Sequence, residues 1–298
     1  MAPTHKMQEK VAVIGAGIMG REIVLKLLEA GYEVSVYNRT AQKTDILVNA
    51  GAIRADTPAV AADNADYIIS MVGDDDASRA VWLGENGLLR AASKSGAIAI
   101  ECSTLSRGWI LQLHDKLHSV GIRFADCPVT GGPDGARAGT LLILAGGATE
   151  VLAKIKPVLS AFSREVIHFG PVGAGTSYKL IVNLMGAAQA TALAEGLVLA
   201  ETAGLDLKQV GYALDKGSVA SPHVQYLIER MVHGNHDDVY FSARWRHKDA
   251  AYALALAAEC GLDMPVSEVA TELFQRALQQ GLGEKNSSIV IDVLRSET

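Results

Sequence analysis

Six residues near the start of the chain, Gly15-Ala16-Gly17-Ile18-Met19-Gly20, fit the pattern G-x-G-x-x-G. Glycine at the first position permits a tight turn. At the second it lets a pyrophosphate approach the backbone, and at the third it lets a helix pack closely on a strand. The free N–H groups and positive dipole end of a following helix would then face phosphate. Alone the pattern is weak, because a glycine-rich turn without a ligand has the same letters. Farther along, Lys179 and Asn183 stand four residues apart in Gly173-Ala174-Gly175-Thr176-Ser177-Tyr178-Lys179-Leu180-Ile181-Val182-Asn183, hence on one face of a helix. A lysine among apolar neighbours is costly as mere structure, and desolvation readily lowers its pKa, which suits proton transfer. A solvated lysine on a first helical turn is an equal alternative from this segment alone. Asp126-Cys127-Pro128-Val129-Thr130-Gly131-Gly132 offers a hydroxyl and exposed N–H groups able to hold a carboxylate, against the plainer reading of a turn. In a further segment, Phe241 to Lys248-Asp249, the charged pair opens an apolar helix and could simply cap it.

The elements around these residues follow from periodicity. Val11-Ala12-Val13-Ile14 is a short apolar run ending at glycine, as a buried parallel strand would be. Helical spacing follows over Ile18–Ala30, a second strand over Glu33–Tyr37, and a helix opened by Thr57-Pro58. Further strands are predicted at Tyr67–Val72, Ala97–Glu101, Arg123–Cys127, Thr140–Ala145 and Val166–Phe169, with helices between most of them. That alternation predicts a doubly wound α/β sheet with the glycine motif between its first strand and first helix, the setting a dinucleotide site needs. After Gly170 the strand signal ends. Helical blocks are predicted at 175–203, 206–216, 222–233, 246–260, 265–281 and 285–295. The chain thus divides into an N-terminal Rossmann domain, 8–172, and an all-helical C-terminal domain, 173–298, joined by a long helix.

The end of the second strand carries the cofactor preference. Asn38-Arg39-Thr40 stands where a carboxylate would bind the ribose 2′-hydroxyl of NAD. With no carboxylate to repel a 2′-phosphate and Arg39 able to pair with one, NADP(H) is expected. Arg39 stacked on adenine, with dual NADP and NAD use, is the alternative.

Composition narrows the class. The chain has 298 residues, 49% of them hydrophobic and 20% charged, enough for two packed domains. A net charge of −6 without a basic stripe does not suggest a nucleic-acid partner. Three scattered cysteines, Cys102, Cys127 and Cys260, make neither a disulfide framework nor a zinc pattern, so no metal is expected and a reducing cytoplasm fits. Met1–Lys10 is polar, a tail rather than a secretory signal. Leu180–Ala200 is apolar but interrupted by Asn183, Gln189 and Glu195, so a buried helix is expected rather than a membrane span. Apolar faces in the helical domain suggest a homo-oligomer, dimer or tetramer.

Taken in order, the glycine motif, the Asp126–Gly132 loop with Gly139-Thr140-Leu141 after it, the Gly173–Asn183 helix start and Lys248-Asp249 resemble the β-hydroxyacid dehydrogenase family, the 3-hydroxyisobutyrate dehydrogenase-like enzymes, from Val11 to about Leu294. The resemblance implies an NAD(P)-dependent oxidoreductase that interconverts a small 3-hydroxy acid and its semialdehyde or keto acid. It makes Lys179 the catalytic acid/base and Asn183 its partner in holding substrate. It gives Thr130, Gly131 and Gly132 the substrate carboxylate. It sets Thr104, in Glu101-Cys102-Ser103-Thr104, beside cofactor and substrate, and Val72 in a loop bordering the cofactor. Phe241, Lys248 and Asp249 fall near the nicotinamide end.

The sequence departs from the family's pattern at Val72-Gly73-Asp74, where Leu-Pro-Asp is common, at Arg107, at Tyr178 and at Trp245-Arg246-His247. The first is expected to alter only the stiffness of that loop, and the departures bear on the substrate rather than on the reaction type. An NADPH-dependent imine reductase shares the implied shape but generally lacks a lysine at the position of Lys179. A non-catalytic dinucleotide-binding protein would be expected to lose Lys179 or the Thr130 loop. A decarboxylating phosphosugar-acid dehydrogenase has a much longer helical domain.

Overall fold

The computed structural model describes residues 8–90 and 96–296; most of the Met1–Lys10 tail lies outside the described residues. Among the described residues the N-terminal unit, Met1–Lys179, has nine strands: β1 (Lys10–Ile14), β2 (Glu33–Tyr37), β3 (Ile53–Arg54), β4 (Tyr67–Ser70), β5 (Ile98–Glu101), β6 (Arg123–Asp126), β7 (Val129–Thr130), β8 (Leu141–Gly146) and β9 (Ser163–Gly170). The sheet order is β3-β2-β1-β4-β5-β6-β8-β7, with β9 paired to β8. β1 to β6 are parallel along that path. β8 runs antiparallel to β6 and β7, and β9 runs parallel to β8.

Alternation along β1 shows why both faces are covered. Val11 and Val13 enter one core, with Ile23, Val24 and Leu27 of α1 (Ile18–Glu29). Ala12 and Ile14 enter the other, with Trp82 of α4 (Asp75–Leu83) and Trp109, Ile110 and Leu113 of α5 (Arg107–Ser119). Between α1 and α4 lie the short helices α2 (Asp45–Asn49) and α3 (Pro58–Ala61). Thr57 caps α3 from its side chain, with Pro58 in the first turn. After α5 come α6 (Gly132–Ala138) and α7 (Thr149–Ser160). The buried thiols of Cys102 and Cys127 sit in the first core, where burial drives both pKa values up. Two strands escape the sequence pattern, β3 and β7. Each is two residues long, too short for periodicity to register. Thr130, expected in a loop, therefore lies in a strand and pairs with Leu142.

The next helix, α8, runs unbroken from Ala174 to Thr202. A carboxylate fixes its start. Asp126, the last residue of β6, accepts hydrogen bonds from Gly173 N (2.8 Å), Thr176 N (2.7 Å) and Thr176 Oγ1 (2.8 Å). Burial pushes the Asp126 carboxyl up from the usual carboxylate range, against the pull of these donors. A Cβ on Gly175 would overlap the Leu144 carbonyl oxygen of β8, so the first turn of α8 packs directly on sheet backbone.

The C-terminal unit, Leu180–Thr298, contains the rest of α8, then α9 (Leu207–Lys216), α10 (Pro222–His233), α11 (Ala243–Glu259), α12 (Pro265–Gln279) and α13 (Val290–Arg295). Leu180, Leu184, Ala187, Ala190, Ala194 and Leu197 of α8 pack with Leu227, Met231, Phe274 and Ile291 in its core. Among the described residues α8 alone is long and apolar enough to cross a membrane, and half of its most apolar window is buried in the protein.

Two helix starts differ from expectation. α11 begins three residues earlier than predicted, at Ala243, because Ser242 Oγ accepts from Trp245 N. Lys248 and Asp249 therefore lie inside the helix and do not open or cap it. The block expected over 285–295 is a 3-10 turn, Ser287–Ile289, followed by α13. Asn286 Oδ1 accepts from Ser288 N and its amide donates to Tyr226 Oη and the Asp238 carbonyl, which holds Asn286 outside the helix.

Asp126→Ala strips the acceptor from three buried donors and is expected to lower unfolding free energy by about 3 kcal/mol or more, read from urea denaturation.

Candidate active site

The C-terminal ends of β1, β2, β4 and β5 gather the first set of expected residues. Gly15 follows β1 with a positive φ of 105°, which favours glycine, and a Cβ there would overlap the Met71 carbonyl oxygen. Gly20, in the first turn of α1, lies against the Gly15 carbonyl oxygen in the same way. Both glycines are demanded by the protein's own packing. Gly17 is not: its φ is −73°, and a Cβ there would meet nothing within 4 Å. Gly17 is the N-cap of α1, no side chain caps the helix, and its first turn carries no acidic residue. Open space over uncapped N–H groups fits the pyrophosphate of a dinucleotide. Ile18, exposed, and Met19, half-buried, flank that opening.

Asn38 does its work inside the protein. Its Oδ1 accepts from Ala16 N (2.9 Å) and its Nδ2 donates to the Thr40 carbonyl (2.9 Å). The amide thus ties the glycine loop to the end of β2 and occupies the Ala16 N–H. Arg39 and Thr40 are exposed, as is Lys43 in the 3-10 turn Ala41–Thr44 that follows. Among the described residues neither Arg39 nor Lys43 is ion-paired, so both charges are open to an anion.

Val72 is placed by a relay from a buried carboxylate. Val72 N donates to Ser103 Oγ (2.7 Å), and that hydroxyl donates to Glu101 Oε1 (2.5 Å). Glu101 also accepts from Ser103 N, Ser78 Oγ and Trp82 Nε1. Burial pushes the Glu101 carboxyl up, with the Ser103 and Trp82 donors opposing. The relay joins the loop after β4 to the loop after β5 that carries Thr104, half-buried. Thr130 and Gly131 line a groove of about 530 Å³ with Gly135, Thr140, Leu142 and Arg164. Gly132 opens α6, which packs on α1. A smaller cleft of about 260 Å³, lined by Glu9, Asp66 and Lys154 among others, borders the start of β4 and β5, away from the carboxyl ends where α/β sheets bind ligands.

Lys179 is half-buried, one turn of α8 before Asn183. In the C-terminal unit Asn183 is buried, and its Nδ2 donates to Asp249 Oδ2 at 2.5 Å. Lys248 Nζ lies 3.1 Å from Asp249 Oδ1, over the rings of Trp245 (5.3 Å) and Tyr252 (5.2 Å). Phe241 carries the Arg246 guanidinium on its face at 4.5 Å. Arg246 is buried and donates through Nη1 to the Asn183 carbonyl at 3.4 Å. Burial pulls its pKa down to about 10. His223 Nε2 faces the Gly186 carbonyl at 3.2 Å, and burial with the Arg246 charge pulls its pKa down to about 4. His247 is half-buried, its pKa also lowered by burial. Tyr178 stacks on Phe169 at 4.1 Å. Sequence reasoning missed the pinning roles of Asn38 and Glu101, the open charge of Lys43, and the grouping of Gly186 and His223 with Arg246. Among the described residues no three His, Cys, Asp or Glu side chains are grouped to hold a metal ion.

Comparisons with known proteins agree over nearly the whole chain. Residues 10–170 match the family model for the NAD binding domain of 6-phosphogluconate dehydrogenase. Residues 173–294 match that for the NAD-binding region of NADP-dependent 3-hydroxyisobutyrate dehydrogenase. An uncharacterized oxidoreductase of Shewanella frigidimarina is 36% identical, over 89% of this chain and 91% of its own length. Glyoxylate/succinic semialdehyde reductase 1 of Arabidopsis thaliana is 32% identical, over 96% of this chain and 98% of its own. In fold, the chain resembles the crystal structure of 3-hydroxyisobutyrate dehydrogenase from Salmonella typhimurium, with a TM-score of 0.86, 24% identity, and 96% and 100% of the two chains covered.

Two measurements check this geometry. Gly17→Ala fills open space at an ordinary φ, so stability should stay within about 1 kcal/mol of the parent. NADPH affinity, read by fluorescence titration, should fall about tenfold or more, because the methyl meets the pyrophosphate. The second concerns pH. His223 titrates near 6.5 unfolded and about 4 folded, so the unfolded chain takes up its proton first. Stability should therefore fall as pH drops from 6.5 towards 4, by roughly 3 kcal/mol from this group. His223→Gln should flatten that part of a urea-denaturation pH series.

Proposed function

The chain belongs to the β-hydroxyacid dehydrogenase family, and from that premise we propose that it is an NADP-preferring oxidoreductase interconverting a small 3-hydroxy acid and its semialdehyde or keto acid. The observation that carries this reading is the pairing on α8. Lys179 stands one turn before Asn183, whose amide is held by the buried carboxylate of Asp249.

NADP, when bound, would supply or accept the hydride. Gly15, Gly17 and Gly20 shape the loop for its pyrophosphate, with Ala16, Ile18 and Met19 forming the turn. Arg39, helped by Lys43 and Thr40, takes the 2′-phosphate, while Asn38 holds the glycine loop in place. Val72, Thr104, Phe241 and Lys248 border the cofactor. Thr130, Gly131 and Gly132 hold the substrate carboxylate through a hydroxyl and backbone N–H groups. In reduction the Lys179 ammonium donates a proton to the substrate oxygen as negative charge develops there. In oxidation the neutral amine takes that proton back. Stabilising the developing charge is the larger contribution. Asn183 orients substrate and lysine, and Asp249 orients Asn183. The enzyme works in the cytoplasm as a homo-oligomer, a role supported by the exposed apolar residues Leu199, Leu205, Tyr212 and Val219 of the helical unit.

Initial rates with NADPH and NADH against small aldehyde acids, and the reverse reaction on 3-hydroxy acids, test this reading. Lys179→Ala should cost several hundred-fold in kcat with NADPH binding retained. Arg39→Ala should weaken NADPH about tenfold or more while leaving NADH little changed. Unchanged rates in Lys179→Ala, or turnover of cyclic imines alone, would overturn the proposal.

A further inference from the structure

Arg246 keeps only 6% of its surface exposed, yet among the described residues no carboxylate lies within ion-pairing distance of it. Among the described residues its guanidinium makes one hydrogen bond, a long one of 3.4 Å from Nη1 to the Asn183 carbonyl, and its Nε has no acceptor. The nearest anion, Asp249, is committed elsewhere, with Oδ2 on the Asn183 amide and Oδ1 beside Lys248. His223 does not compensate the charge, since its ring faces the Gly186 carbonyl and it is uncharged near neutral pH. The Phe241 face under the guanidinium holds its plane but leaves its edge donors unused. A buried cation with no carboxylate in contact is destabilising, the charge of Asp249 offsetting only part of the burial, and a hydrophobic side chain of similar size would be better tolerated there. Its retention needs a reason outside the fold.

The space around it is shaped for the guanidinium. A Cβ on Gly186 would come within 2.5 Å of Arg246 Nη1, so glycine at this point of α8 makes the room. Gly186 lies seven residues after Lys179 and three after Asn183, on the same stripe of one continuous helix. At about 1.5 Å per residue, Gly186 is roughly 10 Å along the axis from Lys179. A planar fork with unused donors matches a carboxylate better than any neutral group.

We propose that Arg246, seated over Gly186 and Phe241, is a specificity-determining residue that binds a second carboxylate of the substrate, so that the preferred substrate is a dicarboxylic hydroxy acid or its aldehyde acid. This rests on the dehydrogenase reading above. The second carboxylate lies several bonds from the reacting carbon.

The test compares NADP⁺-dependent oxidation of 2-(hydroxymethyl)glutarate with that of 3-hydroxyisobutyrate, which carries a methyl in place of the carboxyethyl group. The full-length protein should favour the diacid by about 30-fold or more in kcat/KM. In Arg246→Met that ratio should fall below about threefold, and in Arg246→Lys, which keeps charge without the fork, it should lie between. Equal turnover of both acids by the parent protein would overturn the proposal. So would a parallel loss on both acids that leaves the ratio intact, which is what a merely structural arginine predicts. If the parent oxidises neither acid, the dehydrogenase reading is what fails. Glutarate alone then decides Arg246. A rise in Tm of about 2 °C or more in the parent, absent in Arg246→Met and reduced in Arg246→Lys, upholds the anion site, and no rise overturns it.

Discussion

A single carboxylate sets where the long helix begins. Asp126 ends β6 and takes up Gly173 and Thr176 at the head of α8, 47 and 50 residues away. Most helix caps in this chain are local, as with Thr57, Asp74, Ser106 or Asp206, each accepting from a residue three positions on. A local cap fixes only where a helix starts. A cap from the end of a strand also ties the helix's first turn to the sheet, because donors and acceptor must meet in one geometry. Close approach of Gly175 to β8 reinforces it, since backbone-to-backbone contact leaves little room to turn.

The same division of labour recurs at the cofactor loops. The side chains that hold them are polar, buried or half-buried, and turned inward. Asn38 reaches back to Ala16, Glu101 acts through Ser103 on Val72, and Asp75 takes Ser106 N and Oγ. Each leaves the outward backbone N–H groups and the exposed charges of Arg39 and Lys43 for a ligand. Precision at the surface is thus obtained from hydrogen bonds beneath it.

Much of this architecture was legible beforehand. Runs such as Val11–Ile14 and Tyr67–Ser70, and the glycine motif between strand and helix, locate the dinucleotide half from letter order alone. The helical blocks from 206 to 233 agree with α9 and α10 to within a residue. What escaped was either too short or too distant. β3 and β7 have no periodicity to show. Ser242 as a cap was obscured because Ala243-Arg244, though good helix formers, precede the apolar periodicity that marks the block. Asn183 meets Asp249 across 66 positions, and Asn38 meets Ala16 across 22. Residue type proposes such partners but cannot choose among them, since the choice is made by the fold. Arg246 is the plainest case. In the sequence it is one basic residue beside Trp245 and His247, and only burial with no carboxylate in contact sets it apart.

The three cysteines divide along the same line between surface and interior. Cys260 is exposed just past the end of α11, while Cys102 and Cys127 are buried at the ends of β5 and β6, next to Glu101 and Asp126, with thiols driven away from ionisation. Thiolate is the form that alkylating reagents and peroxides attack. Modification at Cys102 or Cys127 therefore requires the sheet to part where its two buried carboxylates sit. The chain carries one thiol that reports solvent and two that time the opening of its own foundations.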